Sequence, residues 1–413
     1  MTTATPPTGT GPLARREARL AWGLLMPTIT AVALVVILPL LAIFWISFKP
    51  VGLADLRPPA PVVRADIRGE AEAIGDEVTV RFRIRNSSQE QMISDVILTQ
   101  DWPDGLEPLE MDERCEINGG VIRCDLGDFE GGYREQIRIP ATAGQAFIDA
   151  GQDLPGEAVI TGTADNILTN SEFTLENFAR VFDGDEFWGV LGVTLFYTVV
   201  GTVGALVFGL FAALLLNKSF KGQGILRGLY LFPYVAPVIA VAFAWILLFD
   251  PFSGSANALL IQMGVTESSI DFFGQRPLAL IMVTVFEIWR YFPLSFLFIL
   301  ARMQSIDTDM YEAADMDGAS PFQVFWALSM PQLLGILSVL FLLRFIWTFN
   351  KFDDIFLLTG GNAGTRTLTV NVYEQAFAVS NIGAGAAVAV VIFCCLLIFS
   401  FFFFRYGNQE DGL

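Results

Sequence analysis

Six apolar runs, most of them long enough to cross a bilayer, constrain this chain more than any other feature. They lie at about 21–48, 187–216, 229–249, 278–301, 333–349 and 382–404. A helix rising about 1.5 Å per residue needs roughly 20 apolar residues to cross a hydrocarbon core of about 30 Å, so each run is a candidate span. Of the 413 residues, 53% are hydrophobic and 16% charged, a balance too apolar for a soluble protein of this size. The first run is longer than the apolar core of a secretory signal and no small-residue cleavage pattern follows it, so it reads as a retained helix over 21–48.

Orientation follows from basic residues near the spans. Arg15, Arg16 and Arg19 precede the first run, and Lys218, Lys221 and Arg227 lie between the second and third. Positive residues on short loops favour the cytoplasm, which puts tails at 1–20 and 406–413 inside and loops at 250–276 and 351–381 outside. The segment 302–330 counts as cytoplasmic despite Asp307, Asp309, Glu312, Asp315 and Asp317, because acidic residues weigh little in this rule.

The net charge of −18 is concentrated. Between Val51 and Gly189 there are 28 acidic and 11 basic residues, a net charge of −17 there. Such a chain lacks the basic face that nucleic-acid phosphates require. It contains no histidine, which removes the commonest general base and the usual zinc-ligand sets; no catalytic residue and no metal site is expected.

The block at about 51–175 is an extracytoplasmic insert of different character. Pro50, Pro58, Pro59 and Pro61 lead into the alternating Val78–Arg85, and further strand signals follow at 95–98, 121–124, 136–139 and 157–163. About 100 residues with this pattern predict an all-β sandwich, and the run "VRFRIRNSS", "WPDGLE" and "DLGDFEGG" resembles bacterial immunoglobulin-like repeats. Cys115 and Cys124 flank Asn118-Gly119, a strong two-residue hairpin signal, so they are candidates for a cross-hairpin disulfide; two reduced buried thiols are the alternative. Cys394 and Cys395, within an apolar run, read as packing residues.

The segment 307–331, DTDMYEAADMDGASPFQVFWALSMP, carries more local information than any other. Asp309 with Glu312 three residues on has the form of a capping box; Gly318 can end the short helix in the left-handed conformation. Ser320-Pro321-Phe322-Gln323 then opens a second helix with a cap, a proline at the first position and glutamine at the third. Ala313, Ala314 and Gly318 remove bulk where a partner could approach. On this physics alone the segment is either a docking surface or an interhelical linker.

The Glu-Ala-Ala triplet, the Asp-Gly-Ala that follows and the closing proline resemble the coupling motif of ABC-importer permeases. Thr174–Phe182, Leu231–Trp245 and Trp347–Val379 are similar to the sugar-permease subfamily, and the resemblance, over about 172–405, is strongest to maltose-type α-glucoside permeases. The chain departs from the usual Ile-x-Leu-Pro ending, having Leu328-Ser329-Met330-Pro331. The resemblance implies a permease core over 176–405 with five further spans, docked on an ATPase through Glu312, Ala313, Ala314, Asp317, Gly318 and Ala319. It implies partners: a second permease, two ATPase subunits that bind ATP and Mg, and an extracytoplasmic sugar-binding protein. The chain itself has no phosphate-binding G-x-x-x-x-G-K-[ST] loop and reads as a transporter subunit of an inner membrane, not an enzyme.

Ionisable groups within spans are costly and mark partners or aqueous paths. Glu287 and Arg290 are spaced to pair along one helix face, and Arg344 lies in the next span; interhelical charged glue is the competing reading. Tyr234, Trp289, Tyr291, Trp347, Thr348, Asn350 and Lys351 supply the aromatic and polar groups a sugar path uses. Resemblance to the maltose-type permease places Tyr234, Glu287, Tyr291, Arg344, Thr348 and Lys351 at its sugar-lining positions, with different residue types at most of them. The rival readings are a membrane-anchored receptor or adhesion protein that uses the insert, and an ABC permease for a non-sugar solute.

Overall fold

The computed structural model describes residues 12–89, 91–182 and 186–407, with the side chains of 12–15 and 406–407 left aside. The Arg15 side chain, residues 1–11 of the expected N-terminal tail and residues 408–413 of the C-terminal one therefore lie outside the described residues. The first helix begins at Pro12, within the stretch expected to be tail. Two compact units result. The sheet-bearing one is Phe48–Thr174 with Ser380–Gly383; the helical one takes the chain before Phe48, Leu175–Val379 and the chain from Ala384.

Among the described residues five helices are long and apolar enough to span a membrane: Arg16–Ser47, Glu186–Leu216, Leu278–Gln304, Pro321–Phe349 and Ile382–Arg405. The third expected span is not a straight helix. It consists of Gln223–Val235 and Val238–Leu248, bent by 90°. The cause is local: a proline excludes the preceding residue from the helical region, and Ala236, just before Pro237, sits at φ −63°, ψ 142°.

The fifth span starts at Pro321, not near 333, and Pro331 does not close a helix. A π turn at Phe325–Ser329 runs directly into the Met330–Phe349 helix. Proline has no N–H and its ring collides with the carbonyl four residues back, so the wider π turn just upstream accommodates it. The first helix has the same arrangement, a π turn at Ala33–Ile37 followed by Pro39.

The Glu186–Leu216 and Leu278–Gln304 helices approach closely through glycines. A Cβ on Gly204 would lie 2.4 Å from Ile288 Cδ1, and one on Gly209 would lie 2.8 Å from the Phe296 backbone N. Small residues at such contacts let dispersion and backbone proximity hold spans together where lipid removes the hydrophobic drive.

The other unit holds two four-stranded antiparallel sheets. One has β1 (Pro61–Arg68), β2 (Glu77–Asn86), β7 (Arg134–Ala143) and β4 (Leu106–Pro108), in the order β1-β2-β7-β4; the other has β5 (Cys115–Asn118), β6 (Val121–Phe129), β3 (Ile93–Asp101) and β8 (Val159–Thr163), in the order β5-β6-β3-β8. Their inward faces share a core that includes Val80, Phe82 and Ile139 from the first and Ile93, Leu98, Ile122 and Phe129 from the second, all fully buried. β1 begins at Pro61, where a proline costs no ladder bond because it is the first residue of an edge strand; the sequence reading passed over this strand. The unit is not purely β, since Gln145–Asp149 forms a short helix.

The hairpin between the cysteines turns through Gly119-Gly120, both at positive φ (63° and 82°), rather than through Asn118-Gly119. Asn118 ends β5 opposite Val121. A two-residue turn with both φ positive accepts Gly-Gly as readily as Asn-Gly, and here the register places the two glycines in it. That register sets Cys115 opposite Cys124, and the two are joined, S–S 2.01 Å.

Candidate functional site

Glu287 lies in the middle of the Leu278–Gln304 helix with no solvent exposure. Its carboxylate accepts hydrogen bonds from Arg344 Nη2 at 2.6 Å, Thr348 Oγ1 at 3.0 Å and Tyr197 Oη at 3.0 Å. Arg344 and Thr348 come from Met330–Phe349 and Tyr197 from Glu186–Leu216, so one carboxylate ties three helices. Gly201 leaves the room: a Cβ there would stand 3.0 Å from Glu287 Cγ.

The expected pairing of Glu287 with Arg290 along one helix does not form. Arg290 points to the bend of the third span, donating to the carbonyls of Pro233 at 3.3 Å and Ala236 at 3.1 Å. These are carbonyls that the break at Pro237 deprives of helical partners, and a planar cationic donor satisfies two at once. Behind it, Asp354 in the short Asp353–Thr359 helix is fully buried, with Arg290 Nε at 4.0 Å and Lys351 Nζ at 3.8 Å, and among the described residues neither carboxylate oxygen finds a hydrogen-bond partner. Lys351 Nζ donates to Tyr291 Oη at 2.5 Å, and the Arg344 guanidinium lies 4.5 Å from the centre of the same ring.

The ten expected path residues thus divide. Glu287, Arg290, Arg344 and Thr348 are buried and engaged in protein contacts. Tyr291 and Lys351 are half-buried, with Tyr234 edge-on to Tyr291 at 6.0 Å and more exposed. Trp289 packs with Trp245 and Phe286; Trp347 is exposed, and Asn350 donates its amide to the Ile346 carbonyl at the end of its helix. Two members of the cluster escaped the sequence reading. Tyr197 is the one tyrosine in an apolar run whose other hydroxyls are threonines, and a buried phenol demands a partner; Asp354 follows the span and resembled loop.

The segment 307–331 forms a separate surface feature. Asp307, not Asp309, caps the Thr308–Met316 helix by accepting from the Asp309 N–H, because Asp307 keeps the extended backbone a cap requires and Asp309 is already helical. The helix ends in a Schellman arrangement, with Gly318 N–H to Asp315 O, Ala319 N–H to Ala314 O, and Gly318 at φ 73°. Ser320 and Gln323 form a reciprocal capping box opening the next helix. Tyr311 Oη meets Ser329 Oγ at 3.1 Å, fastening the first helix to the π turn. Glu312, Ala313, Asp317 and Gly318 are exposed and Ala314 and Ala319 half-buried. Met316 and Phe322 beside them are 88% and 72% exposed, an apolar pair that the sequence reading did not single out.

Comparison with known proteins draws these features together. Residues 205–409 match the family described as binding-protein-dependent transport system inner membrane component. Over 217 residues the chain is 35% identical to the inner membrane ABC transporter permease protein YcjO of Escherichia coli (strain K12), covering 52% of this chain and 73% of that one. The chain belongs to the ABC-importer permeases. Among its relatives are the trehalose/maltose transport system permease protein MalF of Thermococcus litoralis, 34% identical over 52% of this permease and 73% of that one, and the sn-glycerol-3-phosphate transport system permease protein UgpA of Yersinia pestis, 30% identical over 59% and 83%. A bacterial ABC transporter that imports the acidic polysaccharide alginate shares the fold at TM-score 0.52 and 19% identity, over 58% of this permease and 86% of that chain. A bacterial alginate ABC transporter in complex with an alginate-pentasaccharide-bound periplasmic protein gives a TM-score of 0.54 at 18% identity, over 58% and 85%. Phe48–Thr174, which carries both sheets, lies outside the residues matched to the family.

Proposed function

We propose that this permease moves a sugar or oligosaccharide inward by alternating access, driven by ATP and Mg bound in partner ATPase subunits, with α-glucosides as the substrate class. The single observation behind the coupling role is the exposed segment at 307–323, in which the Thr308–Met316 helix, capped at both ends, and its closing turn present Ala313, Met316 and Gly318 while the start of the next helix presents Phe322. A second permease completes the path, and an extracytoplasmic binding protein delivers the solute. Both termini lie in the cytoplasm, and the disulfide-bearing insert, immunoglobulin-like in plan, lies outside it, where an oxidising compartment suits Cys115–Cys124. The insert serves in docking rather than catalysis. Substrate contact falls to Tyr234, Tyr291 and Lys351, while Glu287, Arg344 and Thr348 hold the helices that present them.

A second reading, an anionic solute, is favoured by the excess of cations in the cluster, with Arg290, Arg344 and Lys351 against Glu287 and Asp354.

The test of coupling is Gly318→Asp. Among the described residues nothing lies within 4 Å of a Cβ built there; Gly318 sits at φ 73°, a conformation that strains most side chains but that aspartate tolerates better than most, so the substitution acts chiefly on a docked partner. Membrane yield should stay near wild type while uptake falls at least about tenfold, since a loss of about 1.4 kcal/mol at a coupling contact suffices. Full uptake by an inserted Gly318→Asp complex contradicts the assignment.

A further inference from the structure

The sheet unit is acidic, with 24 acidic against 11 basic residues between Phe48 and Thr174, yet its cations are not dispersed. Strand alternation places Arg64 and Arg68 of β1, Arg81, Arg83 and Arg85 of β2, and Arg134 and Arg138 of β7 on the outward face of one sheet, opposite the face that carries Val80, Phe82 and Ile139. Seven of the eleven basic residues thus share one face, and all seven are arginine.

The register makes this arrangement unfavourable for the fold. Arg64 stands directly opposite Arg83, Arg85 opposite Arg134, and Arg81 opposite Arg138. Like charges directly across a ladder repel, and internal compensation is partial. Asp66 takes a two-point hydrogen bond from Arg81, which holds its carboxyl below the usual range, and meets Arg68 and Arg83 only at 3.5 Å each. Glu77 and Glu107 sit at the far end of the face. Among the described residues no carboxylate forms an ion pair with Arg64, Arg85, Arg134 or Arg138. Arg64, Arg83, Arg85 and Arg134 line a shallow groove of about 540 Å³ with Val62 and Gln136; Glu135 at its rim is already bound by Arg114 at 2.6 Å and Tyr133 at 2.5 Å.

A face that violates a local rule without an internal gain marks a function that uses it. Arginine in place of lysine throughout favours bidentate recognition of carboxylates. Three strands about 4.8 Å apart, with outward residues about 6.7 Å apart along each, give a patch of roughly 300 Å², well under the ~800 Å² per partner of a stable complex. A small, strongly charged patch suits transient, electrostatically steered encounter with a protein surface.

We propose that this arginine face docks a carboxylate-rich surface of the soluble binding protein on which importers of this family depend. The proposal rests on the importer reading above and adds to it the surface and the chemistry of contact.

The experiment uses the full reconstituted complex and a binding protein that stimulates its ATP hydrolysis. In the variant Arg83→Gln/Arg85→Gln, the binding-protein concentration for half-maximal stimulation should rise about tenfold and depend less steeply on salt, with the maximal rate preserved. The same variant should raise the unfolding temperature of the sheet unit by about 1–3 °C, because it relieves two like-charge pairs; arginines kept for packing would lower it. Arg123→Gln, an exposed arginine of the other sheet, should change neither. An unchanged half-saturation value, or an equal change in Arg123→Gln, overturns the proposal. So does loss of polygalacturonate or phosphatidylglycerol-vesicle binding with binding-protein stimulation intact, which assigns the face to a polyanion or to lipid. If no binding protein stimulates the wild type, the importer reading itself fails.

Discussion

A carboxylate without solvent contact is stable in an apolar bundle only while its partners stay in place, and Glu287 has three. Removing one member of a buried pair leaves the other as an uncompensated charge, at a cost of about 3–5 kcal/mol, whereas replacing both by apolar residues of similar volume is often neutral. Glu287→Ala should therefore cut the thermal stability of the solubilised permease sharply, and Glu287→Met/Arg344→Met should restore most of it. On the proposal that substrate contact falls to Tyr234, Tyr291 and Lys351, the double variant should still transport within a few-fold of wild type; a folded double variant that does not transport would put the pair in the path. The sequence marked Glu287, Arg290 and Arg344 through the cost of burying charge. It did not disclose the pairing, because local spacing offered Arg290 while the actual partner stands 57 positions away on another helix.

At the scale of elements, the contact between Glu186–Leu216 and Leu278–Gln304 depends on absent side chains. Gly209→Val would drive a side chain into the Phe296 backbone, while Gly192→Val, where no atom lies within 4 Å, meets open space. Overpacking of this kind costs about 1–3 kcal/mol. Gly209→Val should thus lower the melting temperature and yield in detergent and Gly192→Val should not; equal behaviour would show that the two helices do not pack through Gly209. Local chemistry such as the Ser320–Gln323 box and the left-handed Gly318 was legible in the sequence, because a cap is decided by residues within one turn. The bend at Pro237, the π turns before Pro39 and Pro331 and the choice of Asp307 as cap were not. At each proline the hydrophobic pattern continues unbroken across the break, and at the cap two aspartates two positions apart are distinguished only by backbone angle.

For the whole molecule, the apolar runs disclosed a membrane bundle and the acidic block a separate unit, since both are compositional. The burial of the charge cluster and the gathering of arginines from three strands onto one sheet face depend on pairing between residues distant in sequence. The central claim is that solute outside is linked to ATP hydrolysis by partners through this permease. The most direct measurement is ATP hydrolysis by the purified, membrane-reconstituted complex, with its binding protein and trehalose, maltose, sucrose or an unrelated solute supplied one at a time. The account predicts stimulation by one disaccharide together with its binding protein and none by the unrelated solute. Active ATPases that no sugar stimulates would contradict it.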